Sequence, residues 1–562
     1  MSPPITRHFV TVGNRRVHYR RAGEGPPIVL LHASPVSSEV YELQIGLYAK
    51  HFTAIALDTP GYGLSDPLDH PKPEIEDFAD AVAETLDALG IQHCATYGRH
   101  TGGSIAVEFA HRHPDRCALA LTDGYPVFSE KVRDEYLEKY LAPITPEWDG
   151  THLLWLWFRY REQHVFWPWY KHFGANRADQ DVPDNAFLHR GVKEMLMAGN
   201  GYKVAYSAAF RHKALELIPN LKAPVCFAAR PGDSVFKSLG LLPKGVWAPE
   251  MPREKTEATL AELEIFKKHP ARAPAPPPPA VKPLPGRLTT DYIPFGDTQL
   301  FVRHSGDLKG AKTPVLFIPP LPGSGKLLEP LMQEVAARGW PVIAIDPPGH
   351  GDSGNARAGE HTMPGYARAI AVAADTLGLK RAHVYGRNVG ALVALALAGL
   401  RPDLVASVAL DGPLCFTDSE RARLGPRWAP PADPVWDGHH ATLIWHITRD
   451  QQLFFPWFEK TLAASRFIEP QVSAEALHVQ VVEMLKHPES FAPAWNAAFA
   501  YPQRKALADL KAPAALFAAK SDPFAPCIDT AAKLLPGVTP VVLPEPPGTA
   551  AAAIDAFLTT QR

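Results

Sequence analysis

Residues 97–103 read YGRHTGG. An apolar run precedes them and a helical pattern, SIAVEFAHRHP, follows. His100 is therefore expected on a glycine-flanked turn from strand to helix. A neutral imidazole there could remove a proton or attack a carbonyl carbon near pH 7. Other groups could serve the same chemistry. Arg99 precedes the histidine and recurs as Arg387, where it could hold a substrate anion or form a salt bridge to the insertion described below. The stretch HLLWLWFRYREQHVFWPWY (152–170) carries Trp155, Trp157, Phe158, His164, Phe166, Trp167 and Trp169. Most of these rings must pack a core; the remainder, with Trp155, Trp167 and His164 foremost, could line a site for a flat or apolar ligand. His32 and His100 together do not read as a metal site, because no third ligand has a recognisable spacing and no H-E-x-x-H occurs. No metal and no cofactor is expected.

The elements that must position these groups are legible in the pattern. HFVTVGNRRVHYRRAG reads as two strands around a turn. The short apolar runs PPIVLLHAS, FTAIALD, HCATYG, LALTDG and PVCFAAR alternate with helical stretches. Continuous apolar strands of this kind imply a mostly parallel, doubly wound sheet buried on both faces. The aromatic insertion, about 130–210, would lie above the carboxyl ends of the strands, where open α/β sheets place ligands.

The chain is written twice. Asp58, in AIALDTPGYGLSD, meets Asp346, in AIDPPGHGDSG, at an increment of 288. The same increment carries YGRHTGG onto YGRNVGA, and so His100 onto Asn388, and carries Asp123 onto Asp411. It also carries residues 148–170 onto 436–458, so that His164 becomes Gln452. Two copies of one domain are expected, 1–268 with its insertion at about 130–210, and 288–562 with its insertion at about 418–500. Between them, HPARAPAPPPPAVKPLPGR (269–287) reads as a polyproline II spacer. Composition adds bounds. At 562 residues, 46% hydrophobic and 21% charged with a net charge of −2, nothing points to nucleic acid or a membrane surface as partner. The start MSPPITRHFV has no apolar h-region, and the five scattered cysteines suit a reducing, cytoplasmic setting. The two halves are expected to pair within the chain, with a homodimer as a further possibility.

Each half resembles an α/β-hydrolase. The resemblance rests on HASP (32–35), DTPGYGLSD and DPPGHGDSG, GRHTG and GRNVG, and the Trp-rich insertion, which is similar to that family's lid. It implies a nucleophile at the strand-to-helix turn, with Thr101 and Ala33 supplying the N–H pair of an oxyanion hole. It also implies an acid after a late strand, for which Asp233 (in ARPGDSVF) and Asp123 are the two readings in the first copy. In this family His32 usually braces the loop, and it is also a possible ligand contact. The chain departs from the pattern where the chemistry lies. His100 and Asn388 stand where serine is usual, and neither GVWAPEMPREKTEATLAELEIF nor LPEPPGTAAAAIDAF holds the late histidine. A serine triad is therefore not expected in either copy. The expectation is a first copy that acts on a small apolar or aromatic carbonyl compound through His100, by ester, lactone or amide hydrolysis or lyase-type cleavage. The second copy would then be a degenerate, structural partner. The alternative is a pseudo-hydrolase that binds a small ligand without turnover.

Overall fold

The structure, a computed structural model, describes residues 3–357, 359–544 and 547–561. The chain divides into two compact units. Unit one comprises Met1–Thr145 and Trp155–Leu284; unit two comprises Pro146–Leu154 and Pro285–Arg562.

In unit one, β1 (Thr6–Val12) and β2 (Arg15–Ala22) form the expected antiparallel pair. They are followed by β3 (Pro27–Leu31), β4 (Thr53–Leu57), β5 (Cys94–Arg99), β6 (Cys117–Asp123) and β7 (Val225–Ala228). The order across the sheet is β1-β2-β4-β3-β5-β6-β7, parallel from β4 to β7. All five residues of β3 and of β4 are buried, as strands covered by helices on both faces must be. Because β4 lies on one side of β3 and β5 on the other, the chain leaves β3 and β5 in opposite directions. That divergence is the switch point at which such sheets open a crevice.

Unit two repeats the plan with β8 (Thr289–Phe295), β9 (Thr298–Ser305), β10 (Val315–Ile318), β11 (Val342–Ile345), β12 (Ala382–Arg387), β13 (Val405–Asp411), β14 (Ala514–Ala519) and β15 (Val541–Leu543). Its order is β15-β14-β13-β12-β10-β11-β9-β8. The extra edge strand β15 pairs with β14 in parallel. At the corresponding edge of unit one only an isolated bridge forms, between Ala229 and Glu250. Pro249 and Pro252 flank that residue, and a proline has no N–H to give to a ladder.

The proline-rich segment is not a detached spacer over its first part. Arg21 Nη1 donates to Pro276 O (2.6 Å), the Thr11 hydroxyl to Lys282 O (2.6 Å) and Ala275 N to Gly25 O (2.9 Å). A run of prolines cannot bond its carbonyls internally, so they remain available as acceptors for β1 and β2. Among the described residues no helix is long and apolar enough to cross a membrane, and all five cysteines are buried thiols.

Candidate active site at the carboxyl ends of the first sheet

The turn after β5 is tight for a steric reason that can be named. A Cβ on Gly98 would lie 2.1 Å from Gly102 O, and one on Gly102 would lie 1.9 Å from Leu31 O. Only glycine at both positions lets the helix Thr101–Arg112 close on the end of β3. Between them His100 adopts φ 48°, ψ −110°. Asn388 repeats this at φ 51°, ψ −116°, and these are the two non-glycine residues with positive φ among the described residues. Such strain persists where the surroundings impose it, and it projects the side chain away from both strand and helix.

The His100 side chain is 24% exposed, and its Nε2 lies 2.8 Å from Asp233 Oδ1 and 3.0 Å from Oδ2. Asp233 also accepts from Arg99 Nη2 (2.7 Å) and Val235 N (2.9 Å). Burial alone would raise this carboxyl, but the charges of His100 and Arg99 outweigh it and hold it below the usual carboxylate range. An ionised Asp233 can only accept, so Nε2 of His100 donates to it. In the neutral ring, Nδ1 then carries the lone pair.

Of the two aspartates, Asp233 is thus the partner of His100. Asp123, buried at the end of β6, instead accepts from Arg230 Nη2 (2.8 Å) and Nε (3.2 Å) and from the Tyr97 hydroxyl (3.2 Å). Burial raises it, while Arg230 and Arg99 more than reverse this and keep it low. Arg99 is engaged on both sides, by Asp233 and, at 3.8 Å, by Asp123. Its salt bridge therefore runs to the sheet and not to the insertion. Arg230 does not stand out in the sequence. Its adjacency to the PGD turn is a signal, but its second-copy counterpart is a lysine, Lys520, which obscures it.

The loop after β3 and the turn after β5 meet. A Cβ on Gly102 would also lie 2.7 Å from His32 O, so the segment after β3 abuts the start of the helix. Thr101 is the first residue of that helix, and its N–H has no acceptor inside the helix. His32 is fully occupied in bracing the loop: Nε2 accepts from Thr59 N (2.9 Å), so Nδ1 donates to Ala33 O (3.0 Å). Burial lowers its pKa and keeps it neutral.

The aromatic residues of the insertion are placed unevenly. Trp157 is buried, whereas Trp155 is 40% exposed with its ring edge-on to Trp169. Trp167 is half-buried against Tyr136 and Tyr140. The His164 ring lies edge-on between Tyr160 (5.2 Å) and Phe187 (5.4 Å), and burial, then Arg99 and Arg159, push it down to about 4.

The second copy keeps the shape without the ionisable ring. Asn388 Nδ2 donates to Asp522 Oδ2 (2.8 Å) and to Gly412 O (3.3 Å). Burial raises both Asp522 and Asp411, the latter to about 6.

A comparison with protein families agrees with this architecture. A family profile described as "alpha/beta hydrolase fold" matches residues 26–153 and 313–545. The chain is 36% identical over 119 residues to the soluble epoxide hydrolase of Corynebacterium sp., covering 20% of this chain and 40% of that protein. It is 29% identical over 136 residues to (E)-2-((N-methylformamido)methylene)succinate hydrolase of Acinetobacter baylyi, covering 24% of this chain and 51% of that protein. The matched stretches thus span about half or less of these relatives' own length. Among solved structures, epoxide hydrolase A from Mycobacterium thermoresistibile aligns with 47% of this chain and 98% of its own, at 18% identity and a TM-score of 0.38.

Proposed function

The chain belongs to the α/β-hydrolase fold family, and we propose that its first copy is a hydrolase in which His100 takes the place of the nucleophilic serine. The reading is carried by one observation. A partly exposed imidazole projects from the strained turn and gives its Nε2–H to an ionised aspartate at 2.8 Å. In that tautomer Nδ1 is the base. It takes a proton from water as the water oxygen bonds to the carbonyl carbon of a small ester or lactone. The carbonyl electron pair moves onto oxygen, where the N–H groups of Thr101 and Ala33 stabilise it. Asp233 stabilises the imidazolium thus formed, as the acid of a triad does. Collapse breaks the bond to the leaving oxygen, which recovers the proton from His100. Asp123 and Arg230 act one step away, by holding Arg99 against Asp233. The hydrolytic names of the relatives support hydrolysis as the reaction class, and the aromatic insertion supports an apolar or aromatic substrate. The second copy, with Asn388 in place of an ionisable group, is a structural partner. The protein works in the cytoplasm.

The test is turnover of a panel of nitrophenyl esters and aromatic lactones. His100→Ala is expected to lower kcat/KM by about 10²- to 10⁴-fold, and a serine-directed fluorophosphonate is expected to leave the protein unlabelled and active. Undiminished turnover in His100→Ala, or inactivation by the fluorophosphonate, would refute the reading. Tight ligand binding with no turnover of any ester or lactone would favour a binding protein instead.

A further inference from the structure

In unit one a cleft of about 500 Å³ lies between the helices Ile75–Ala88 and Thr101–Arg112 and the segment 211–220. Glu108 lines it, about two turns along the second helix from Thr101. This residue is 3% exposed, and its carboxyl makes no hydrogen bond and no ion pair among the described residues. Burial first, then the charge of Glu76, raise the carboxyl to about 7, and the nearby Arg112 does not reverse the shift.

The basic groups of the cleft are already engaged. Arg211 Nε donates to both oxygens of Glu74 (2.8 Å each) and Nη2 to Pro73 O (3.0 Å). Arg112 donates to Asp80 through Nε (2.9 Å) and Nη2 (2.7 Å). Lys213 faces Glu216 at 3.4 Å. His212, pushed down to about 4 by burial, is neutral, with Nε2 at 3.3 Å from the Tyr125 hydroxyl. Two carboxyls are left without a cation: Glu108 in the wall and Glu76, which is exposed.

A buried carboxyl without a partner costs stability, and the fold does not require it. At the increment of 288, Glu76, Glu108, His111 and Arg112 become Pro364, Ala396, Gly399 and Leu400. These charges belong to the first copy alone.

We propose that this cleft binds a small primary alkylammonium ion, whose N–H groups donate to the Glu108 carboxylate and whose charge is shared with Glu76. Ile75 and Leu217 offer the apolar wall for a short alkyl chain. The site goes beyond the hydrolase reading and uses no atom of His100. Because the ammonium favours the ionised carboxyl, a proton leaves Glu108 as the ion enters, and affinity rises with pH through about 7. His111 lines the same cleft, so the source of that proton must be assigned by substitution.

The experiment is calorimetric titration of the full chain with n-butylammonium in phosphate buffer. n-Butanol serves as the uncharged counterpart and tetramethylammonium as a cation without N–H donors. Butylammonium is expected to bind about tenfold more tightly at pH 8 than at pH 6, and both controls at least about tenfold more weakly. Glu108→Gln is expected to weaken butylammonium by about 10- to 100-fold at pH 8, to abolish the pH step and to leave Tm undiminished. Glu76→Gln alters an exposed side chain and should also lose affinity, which preserves the test if the Glu108 variant folds poorly. Four results would each overturn the proposal: no binding at millimolar concentration, equal affinity for either control, a pH step that survives in Glu108→Gln, or unchanged affinity in both variants.

Discussion

At the scale of single residues, the site is decided by which aspartate receives the imidazole. Asp233 is crowded with donors from His100, Arg99 and Val235, and so stays ionised although buried. Its role in the proposed reaction is to fix the His100 tautomer and to balance the imidazolium. Asp233→Asn removes that balance and permits the wrong tautomer. It is expected to lower kcat by about 10²- to 10⁴-fold with KM changed little, measured on the best ester of the panel. Asp123→Asn removes the partner of Arg230 and changes no atom that touches the ring, so its effect on kcat should be the smaller of the two. An equal or larger effect at Asp123 would place the catalytic acid there instead.

At the scale of elements, the helix Lys255–Phe266 packs its Glu262 carboxyl under the sheet, where the Tyr48 hydroxyl donates to Oε2 at 2.8 Å. Burial, then the carboxylate of Asp123, push Glu262 from its ordinary value of 4.5 up to about 8. The folded chain therefore holds this proton more tightly than the unfolded chain does. The stability that Glu262 contributes is complete below about pH 4.5 and is lost as pH rises towards 8. Glu262→Gln keeps an acceptor for Tyr48 and never ionises. Its Tm relative to wild type is expected to climb between about pH 5 and 8, by an amount corresponding to a few kcal/mol. Scanning calorimetry across that range checks it, and a pH-independent difference would contradict it. The same helix carries no counterpart of the late catalytic histidine, and the proposed reaction draws its base from the turn after β5 instead.

At the scale of the whole molecule, one architecture is built twice and equipped differently. Both turns carry the same strained backbone, held by the same glycine spacing, yet one presents an imidazole and the other a carboxamide. If the second copy is structural, Asn388→Ala should leave ester turnover within about twofold, because the proposed reaction uses no atom of Asn388. A large loss would assign the second copy a part in the reaction.

The duplication, the mostly parallel sheet of each copy, the glycine-flanked turn and the paired hairpin strands could be read before any coordinates. They follow from local repeats, from hydrophobic period and from steric demands that act within a few residues. The exchange of His100 for Asn388 was visible for the same reason, since an increment of 288 aligns them. Other features were settled only by folding. These are the choice of Asp233 over Asp123, the engagement of Arg99 and Arg230, and the docking of the proline-rich segment on β1 and β2. Each depends on where a side chain or a carbonyl meets, or fails to meet, a partner that the fold alone brings near. Residue type and spacing limit which groups can bond; the directions and distances come from how the sheets, loops and insertion pack.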